Sequence, residues 1–225
     1  MKKVQEKSLA ETAYLRLRKE IHMGVLVPGG VVSERELASR YEMSKTPIRE
    51  AVTQVCREGL LQRLPGRGYM VSPITIKEIQ DLFDLRLILE VAVIEKLFSN
   101  PASEYLPKLK EIADIRYVLE DPESHFVFLE ANRTFHLTLA RSAGNVRVTQ
   151  VLESLLIEME RLFHLGLRIG DSSEEMAKEH QDLIAALEAN DLDTARESTI
   201  QQILESKKRV MDAIMTGDLK TIHAI

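Results

Sequence analysis

The chain has 225 residues, 44% of them hydrophobic, and a formal net charge of −5, which is the profile of an ordinary globular protein with one large or two small cores. Its single cysteine, Cys56, excludes intrachain disulfides and cysteine-rich zinc sites. No stretch approaches the roughly 20 apolar residues of a membrane span, and Lys2 and Lys3 precede no apolar run of signal-peptide type, so the expected location is the cytoplasm.

The first predicted element opens at Ser8, three residues before Glu11, and carries Leu9, Ala13, Leu17 and Ile21 at helical spacing to about Met23. Gly24, Pro28, Gly29 and Gly30 end it. Ser33 and Glu36 repeat the capping-box spacing, so a second helix starts at about Glu34, turns Leu37 and Ala38 inward and ends near Tyr41. Glu42 to Lys45 supply a turn. Pro47 restarts the helix, because a missing N–H costs nothing at a first helical position, and Thr46 is the expected cap. Ile48, Ala51, Val52 and Val55 share one face, Cys56 reads as a small packed hydrophobe, and Gly59 stands where a left-handed C-terminal residue is needed. The open end of this helix carries Ser44, Lys45, Thr46 and Arg49, an excess of donors that suits a DNA major groove. Strands are predicted over Leu61–Leu64 and Tyr69–Ser72, joined by Pro65, Gly66, Arg67 and Gly68, where an arginine between two glycines can reach a phosphate or a minor groove. Helix, turn, helix and hairpin follow one another as in a winged helix-turn-helix.

From Thr75 onward the pattern is all helical, with segments predicted over 75–99, 104–119, 123–142, 146–169, 173–189 and 191–215. The fold class is therefore mainly α, an N-terminal winged helix-turn-helix with a small β-hairpin (residues 1–72) followed by a C-terminal antiparallel helical bundle (residues 73–225). The charge divides along that boundary. Residues 1–72 hold 13 Lys+Arg against 8 Asp+Glu, a net of +5, and residues 73–225 hold 17 against 27, a net of −10. A basic head beside an acidic body fits DNA binding that weakens steeply with salt.

Polar residues on apolar helix faces mark a candidate site in the bundle. Arg86 falls in the stripe of Ile79, Leu82, Leu89 and Val93, where a guanidinium needs an anionic partner, either Glu90 four residues on or the carboxylate of a small ligand. Asn132 and His136 are one turn apart, His180 lies between apolar positions of the fifth bundle helix, and Gln202 lies on the last helix, so these groups can converge. A histidine on such a face also serves as an ordinary hydrogen-bonded core residue. His22, His125 and His223 lie near element ends and read as solvated; His164 suits either the pocket or a helix contact. Val148, Val151, Leu152, Leu155, Met159 and Leu162 form a long stripe for the core, with part available to a second subunit.

Enzyme chemistry finds little support. Helical-bundle di-iron sites use Glu-x-x-His pairs, and none of the 6 histidines has a glutamate three residues before it. His-Glu-x-x-His, GxSxG and a phosphate-binding glycine loop are also missing. A metal-dependent bundle enzyme is the remote alternative.

The segments SERELA, SKTPIREAV and EGLL to PGRGY, in that order and spacing between Ser33 and Tyr69, resemble the winged helix-turn-helix of GntR-type bacterial transcription regulators. The resemblance implies DNA contacts at Arg35, Ser44, Lys45, Thr46, Arg49 and Gly66, with Arg67 beside it. Many relatives have arginine where this chain has Lys45, and lysine lacks the rigid fork for guanine. ANRTFHLTLARSAGN and KEHQDLIAALEANDLDTAR are similar to the FadR C-terminal ligand-binding domain, with a helix count that suggests the vanillate-regulator-like subgroup. By that resemblance Asn132, His136, His180 and Gln202 line the site of a small anionic metabolite, whose carboxylate the stripe position of Arg86 suits, and Asn132, His136 and His180 hold a divalent metal such as zinc if one is present. Gln202 stands where the pattern has a third histidine, and an amide oxygen is a poor zinc ligand; acyl-CoA-responsive relatives lack the metal altogether. The implied protein is a homodimeric, ligand-responsive regulator, most simply a repressor, on double-stranded operator DNA. The competing expectation is a constitutive DNA-binding protein whose bundle only dimerises.

Overall fold

Residues 8–99, 103–167 and 170–215 are described by the structure, a computed structural model, and they form two units that divide between Thr75 and Ile76. His223 lies outside the described residues. In the first unit, α1 (Leu9–His22) begins where the Ser8 hydroxyl accepts the Glu11 N–H, and β1 is the two-residue strand Val31–Val32. Next, α2 (Glu34–Tyr41) has the complete capping box: Ser33 accepts from the Glu36 N–H and Glu36 reaches back to the Ser33 N–H at 2.7 Å. The turn after it is made by Glu42 at φ 55°, with the Met43 N–H closing onto the Ala38 carbonyl.

The reading helix, α3, runs from Lys45 to Arg57 with Ser44 as its cap. Thr46 is thus inside the helix, and Pro47 is the third helical residue rather than the first. A proline fits there for the same reason it fits earlier, since the first turn's N–H groups have no carbonyl behind them. Strands β2 (Leu61–Leu64) and β3 (Gly68–Val71) form the hairpin, one residue earlier at β3 than the pattern predicts. The sheet order is β1-β3-β2, so Val31–Val32 adds a third strand opposite Met70 and Tyr69. Two residues are too few for an alternation signal. Leu17, Ile21, Leu37, Ile48, Val52, Val55, Leu61 and Val71 pack as one core, with α1 lying against α3. His22 is buried at 3% exposure, so its expected solvation is wrong: the chain turns back at Gly24 (φ 68°), with the Leu26 N–H donating to the Glu20 carbonyl and Leu26 itself buried, and so covers the end of α1.

Every regular element among the described residues of the second unit is helical: α4 (Ile76–Ser99), a 3-10 turn (Ser103–Tyr105), α5 (Leu106–Ala113), α6 (Pro122–Ser142), α7 (Val146–Gly166), α8 (Ser173–Glu188) and α9 (Leu192–Met215). Within it α4 packs on α9, α7 and α6, while α8 packs on α9 and α5. The expected helix over 104–119 is the main departure, since α5 ends at Ala113. Tyr117 supplies the reason. Its ring is buried with centroids 5.0 Å from both His125 and Phe128. Its hydroxyl donates to the Gly170 carbonyl at 3.1 Å and accepts the Ser172 N–H at 2.8 Å. The same contact buries His125, contrary to its expected solvation. In α7, Leu152, Leu155, Met159 and Leu162 are core, His164 is buried, and Val151 is exposed.

Candidate functional site

Two sets of side chains stand out, one in each unit. In the first, Ser44, Lys45, Thr46 and Arg49 are all exposed at the N-terminal end of α3, whose other face buries Ile48, Ala51, Val52 and Val55. The Ser44 hydroxyl makes no cap hydrogen bond. The first N–H groups of α3 therefore face outward, where a helix favours negative charge. Arg35 is exposed in the first turn of α2, and Arg67 is exposed at the hairpin tip. Gly66 sits at φ +74° in that tip, a backbone conformation that needs glycine.

Arg49 is 68% exposed yet not free. Its Nε and Nη2 lie 3.2 and 3.0 Å from one oxygen of Glu34, and the other oxygen accepts the Tyr69 hydroxyl at 3.0 Å. The Arg49 hydrogen bonds hold the Glu34 carboxyl below its usual range, helped by Tyr69 and by the charge of Lys45.

In the second unit, Arg86 from α4, Asn132 and His136 from α6, His180 from α8 and Gln202 from α9 line one cavity, all of them buried. Its free space is about 10 Å³, room for about one water molecule. Arg86 Nε lies 2.6 Å from Glu90 Oε1, and its Nη2 lies 2.9 Å from His136 Nε2. A guanidinium only donates, so Nε2 must accept, which makes the His136 ring neutral with its proton on Nδ1. That nitrogen faces Glu90 Oε2 at 2.7 Å, a close contact without the alignment of a hydrogen bond. Burial alone would raise the Glu90 carboxyl; Arg86 and His136 outweigh it and bring it down to about 2. Burial lowers His136 against the pull of Glu90, and lowers His180 further, with His136 and Arg86 adding to the effect. Both imidazoles are neutral at pH 7. The Phe135 ring lies 4.1 Å from that of His180, while His180 Nε2 and Gln202 Oε1 are buried with no hydrogen-bond partner among the described residues. Such orphaned groups cost about 1–3 kcal/mol each until something binds them.

Glu179 and Arg209 complete the wall, joined by two hydrogen bonds of 2.8 and 2.9 Å between α8 and α9. A wider groove of about 300 Å³ in the first unit, among Val25, Val27, Val31 and Leu37, is a poorer candidate. Its wall is mostly aliphatic, and its two charged groups are committed, Glu36 to Ser33 and Arg40 to Glu20.

Residues 9–71 match the family model for bacterial regulatory proteins of the gntR family, and residues 81–206 match that of the FCD domain. The chain belongs to the GntR family. As a GntR regulator with an FCD effector domain it is a DNA-binding transcription regulator and not an enzyme. It is 28% identical over 201 residues to the gluconate operon transcriptional repressor of Bacillus licheniformis, covering 87% of this chain and 82% of that protein. It is 24% identical over 197 residues to the HTH-type transcriptional repressor RspR of Escherichia coli, covering 88% and 86%. Among solved structures, E. coli McbR/YncC superposes with a TM-score of 0.73 at 21% identity, covering 92% of this chain and 99% of that one. A putative GntR regulator from Rhodococcus sp. RHA1 gives 0.71 at 21%, covering the same shares. At that identity both speak for the fold alone. No described helix is long and apolar enough to cross a membrane.

In this GntR regulator neither the pairing of Glu34 with Arg49 nor the part of Tyr69, Glu179 and Arg209 in the two sites is marked by the sequence pattern. Glu34 was visible only as a first helical residue. Glu179 stands beside His180, but its partner Arg209 is 30 residues away on another helix, and spacing on one helix says nothing about such a pair.

Proposed function

We propose that this GntR regulator is a homodimeric repressor that releases operator DNA when a small hydroxylated carboxylate enters the bundle cavity. The DNA contacts in this reading are Arg35, Ser44, Lys45, Thr46, Arg49, Gly66 and Arg67. The effector contacts are Arg86 for the carboxylate, oriented by His136, with Asn132, His180 and Gln202 for hydroxyls. The observation that carries it is the pair of orphaned buried atoms, His180 Nε2 and Gln202 Oε1, beside a fully buried guanidinium. A chain whose bundle only dimerised has no reason to bear that cost.

With room for about one water, the cavity described here is the closed state. A multi-carbon acid enters only if α8 and α9 part, and the Glu179–Arg209 pair is the contact that yields. That step gives binding a difference between two arrangements of the bundle, without which a ligand shifts no equilibrium.

Zinc is not part of this reading. The donors are two imidazoles and two amides, and among the described residues no three His, Cys, Asp or Glu are grouped to hold a metal. The His136 lone pair that a metal needs already accepts from Arg86. A guanidinium thus occupies the cationic role, and membership of the vanillate-like subgroup, which the count of six bundle α-helices among the described residues supports, extends here to the fold but not to the metal. The second copy meets apolar surface such as Leu85 and Ile88, 40% and 67% exposed one turn apart on α4.

Thermal melting against a panel of hydroxy acids, gluconate included because of the repressor named above, tests the effector. A binder present at about 100 times its dissociation constant adds about 2.7 kcal/mol. A flat response across the panel favours a constitutive DNA-binding protein. Zinc is expected to leave the melt unchanged.

A further inference from the structure

Arg49 offers two hydrogen-bonding edges. Glu34 takes the side-on edge, Nε with Nη2, and leaves the end-on edge of Nη1 and Nη2 directed away from it. The carboxylate is itself fixed from behind, because its second oxygen accepts the Tyr69 hydroxyl from β3 of the wing. Three elements therefore meet at one carboxylate: α2 supplies Glu34, α3 supplies Arg49 and β3 supplies Tyr69.

We propose that Glu34 is the positioning residue for base recognition, a buttress that presents the end-on edge of Arg49 to one guanine in each half-site and ties that contact to the wing through Tyr69. Charge favours a base over a phosphate at this position. A guanidinium already neutralised by a carboxylate gains little from an anionic oxygen, and Glu34 repels phosphate directly. The O6/N7 edge of guanine is uncharged and matches two parallel N–H donors. Pre-setting the fork also removes side-chain freedom that an unbuttressed arginine loses on binding. The exposed Lys45, four residues earlier on α3, is left for the backbone.

The inference rests on the proposed DNA-contact residues, and the experiment separates the two. The full-length protein selects duplexes from a random pool, and single-base variants of the winner are then measured against wild type, Glu34→Gln, Glu34→Asp and Tyr69→Phe. Glu34→Gln is expected to lose at least about tenfold of the preference for guanine at one position per half-site, one bidentate contact being worth ~1–3 kcal/mol. Its affinity for unrelated DNA stays equal or rises, because a negative charge has left the surface. Glu34→Asp restores part of the preference, and Tyr69→Phe loses a smaller part at the same position. A Glu34→Gln profile identical to wild type, or an equal loss on every sequence, overturns the buttress. If Glu34→Gln fails to fold, an unchanged Tyr69→Phe profile overturns it instead. If wild type enriches no duplex, the DNA-contact reading fails and the buttress falls with it.

Discussion

Arg86 shows how much one side chain in the bundle depends on its neighbours. It and Glu90 are almost wholly buried, so neither charge has water to fall back on. Removing one partner of such a pair leaves the other uncompensated, at about 3–5 kcal/mol. Glu90→Gln is therefore expected to lower stability by about that much in urea unfolding, while Glu90→Gln with Arg86→Met loses distinctly less. Equal losses in both would mean that Arg86 is not left as an uncompensated charge when Glu90 is neutralised. The partnership with Glu90 was legible in the sequence, because residues four apart on a helix are neighbours. The contact with His136, 50 residues away, was not. At the exposed end of α3, Arg49→Ala is expected to cost roughly 1–3 kcal/mol in DNA binding and to relax preference at one base position. Uniform weakening on all sequences would instead mark a phosphate contact.

Among the elements, the legible ones are those whose ends are written in local chemistry. Ser33 and Glu36 cap α2, Gly59 at φ +75° follows α3, and Asn145 caps α7 by accepting the N–H groups of Arg147 and Val148. The segment after Ala113 failed because Tyr117 is pulled inward by Gly170 and Ser172, more than fifty positions on. A tertiary contact overrode a local preference, and no window of sequence contains both sides of it. The wing makes a sharper case. Gly68 has φ +104°, and a Cβ there would stand 2.4 Å from the Val32 carbonyl oxygen. The clash is with backbone, so β1 must move off β3 for any side chain to fit. Gly68→Ala is expected to cost about 1–3 kcal/mol for the backbone conformation alone and to weaken operator binding. Melting followed through Tyr69 and a gel shift report the two effects. A variant as stable as wild type would show that neither the φ of Gly68 nor its close approach to β1 constrains the wing.

At the scale of the whole chain, +5 over residues 1–72 and −10 over residues 73–225 set how operator binding responds to salt. Each phosphate neutralised contributes about −0.9 to the slope of log affinity against log salt. Substituting Lys45 is expected to reduce that slope by about one unit, whereas a base-reading Arg49 leaves it nearly unchanged. The effector enters the same balance from the other end. If a hydroxy acid lowers operator affinity by some factor, saturating operator must lower affinity for the acid by the same factor, since both describe one cycle. Titrating the acid by calorimetry with and without bound operator, and the operator with and without saturating acid, measures that factor twice, by independent routes. Equal factors make the Arg86 cavity and the α3 surface two ends of a single equilibrium. If the acid binds identically with and without operator, the two sites are uncoupled, and release of DNA must have another cause.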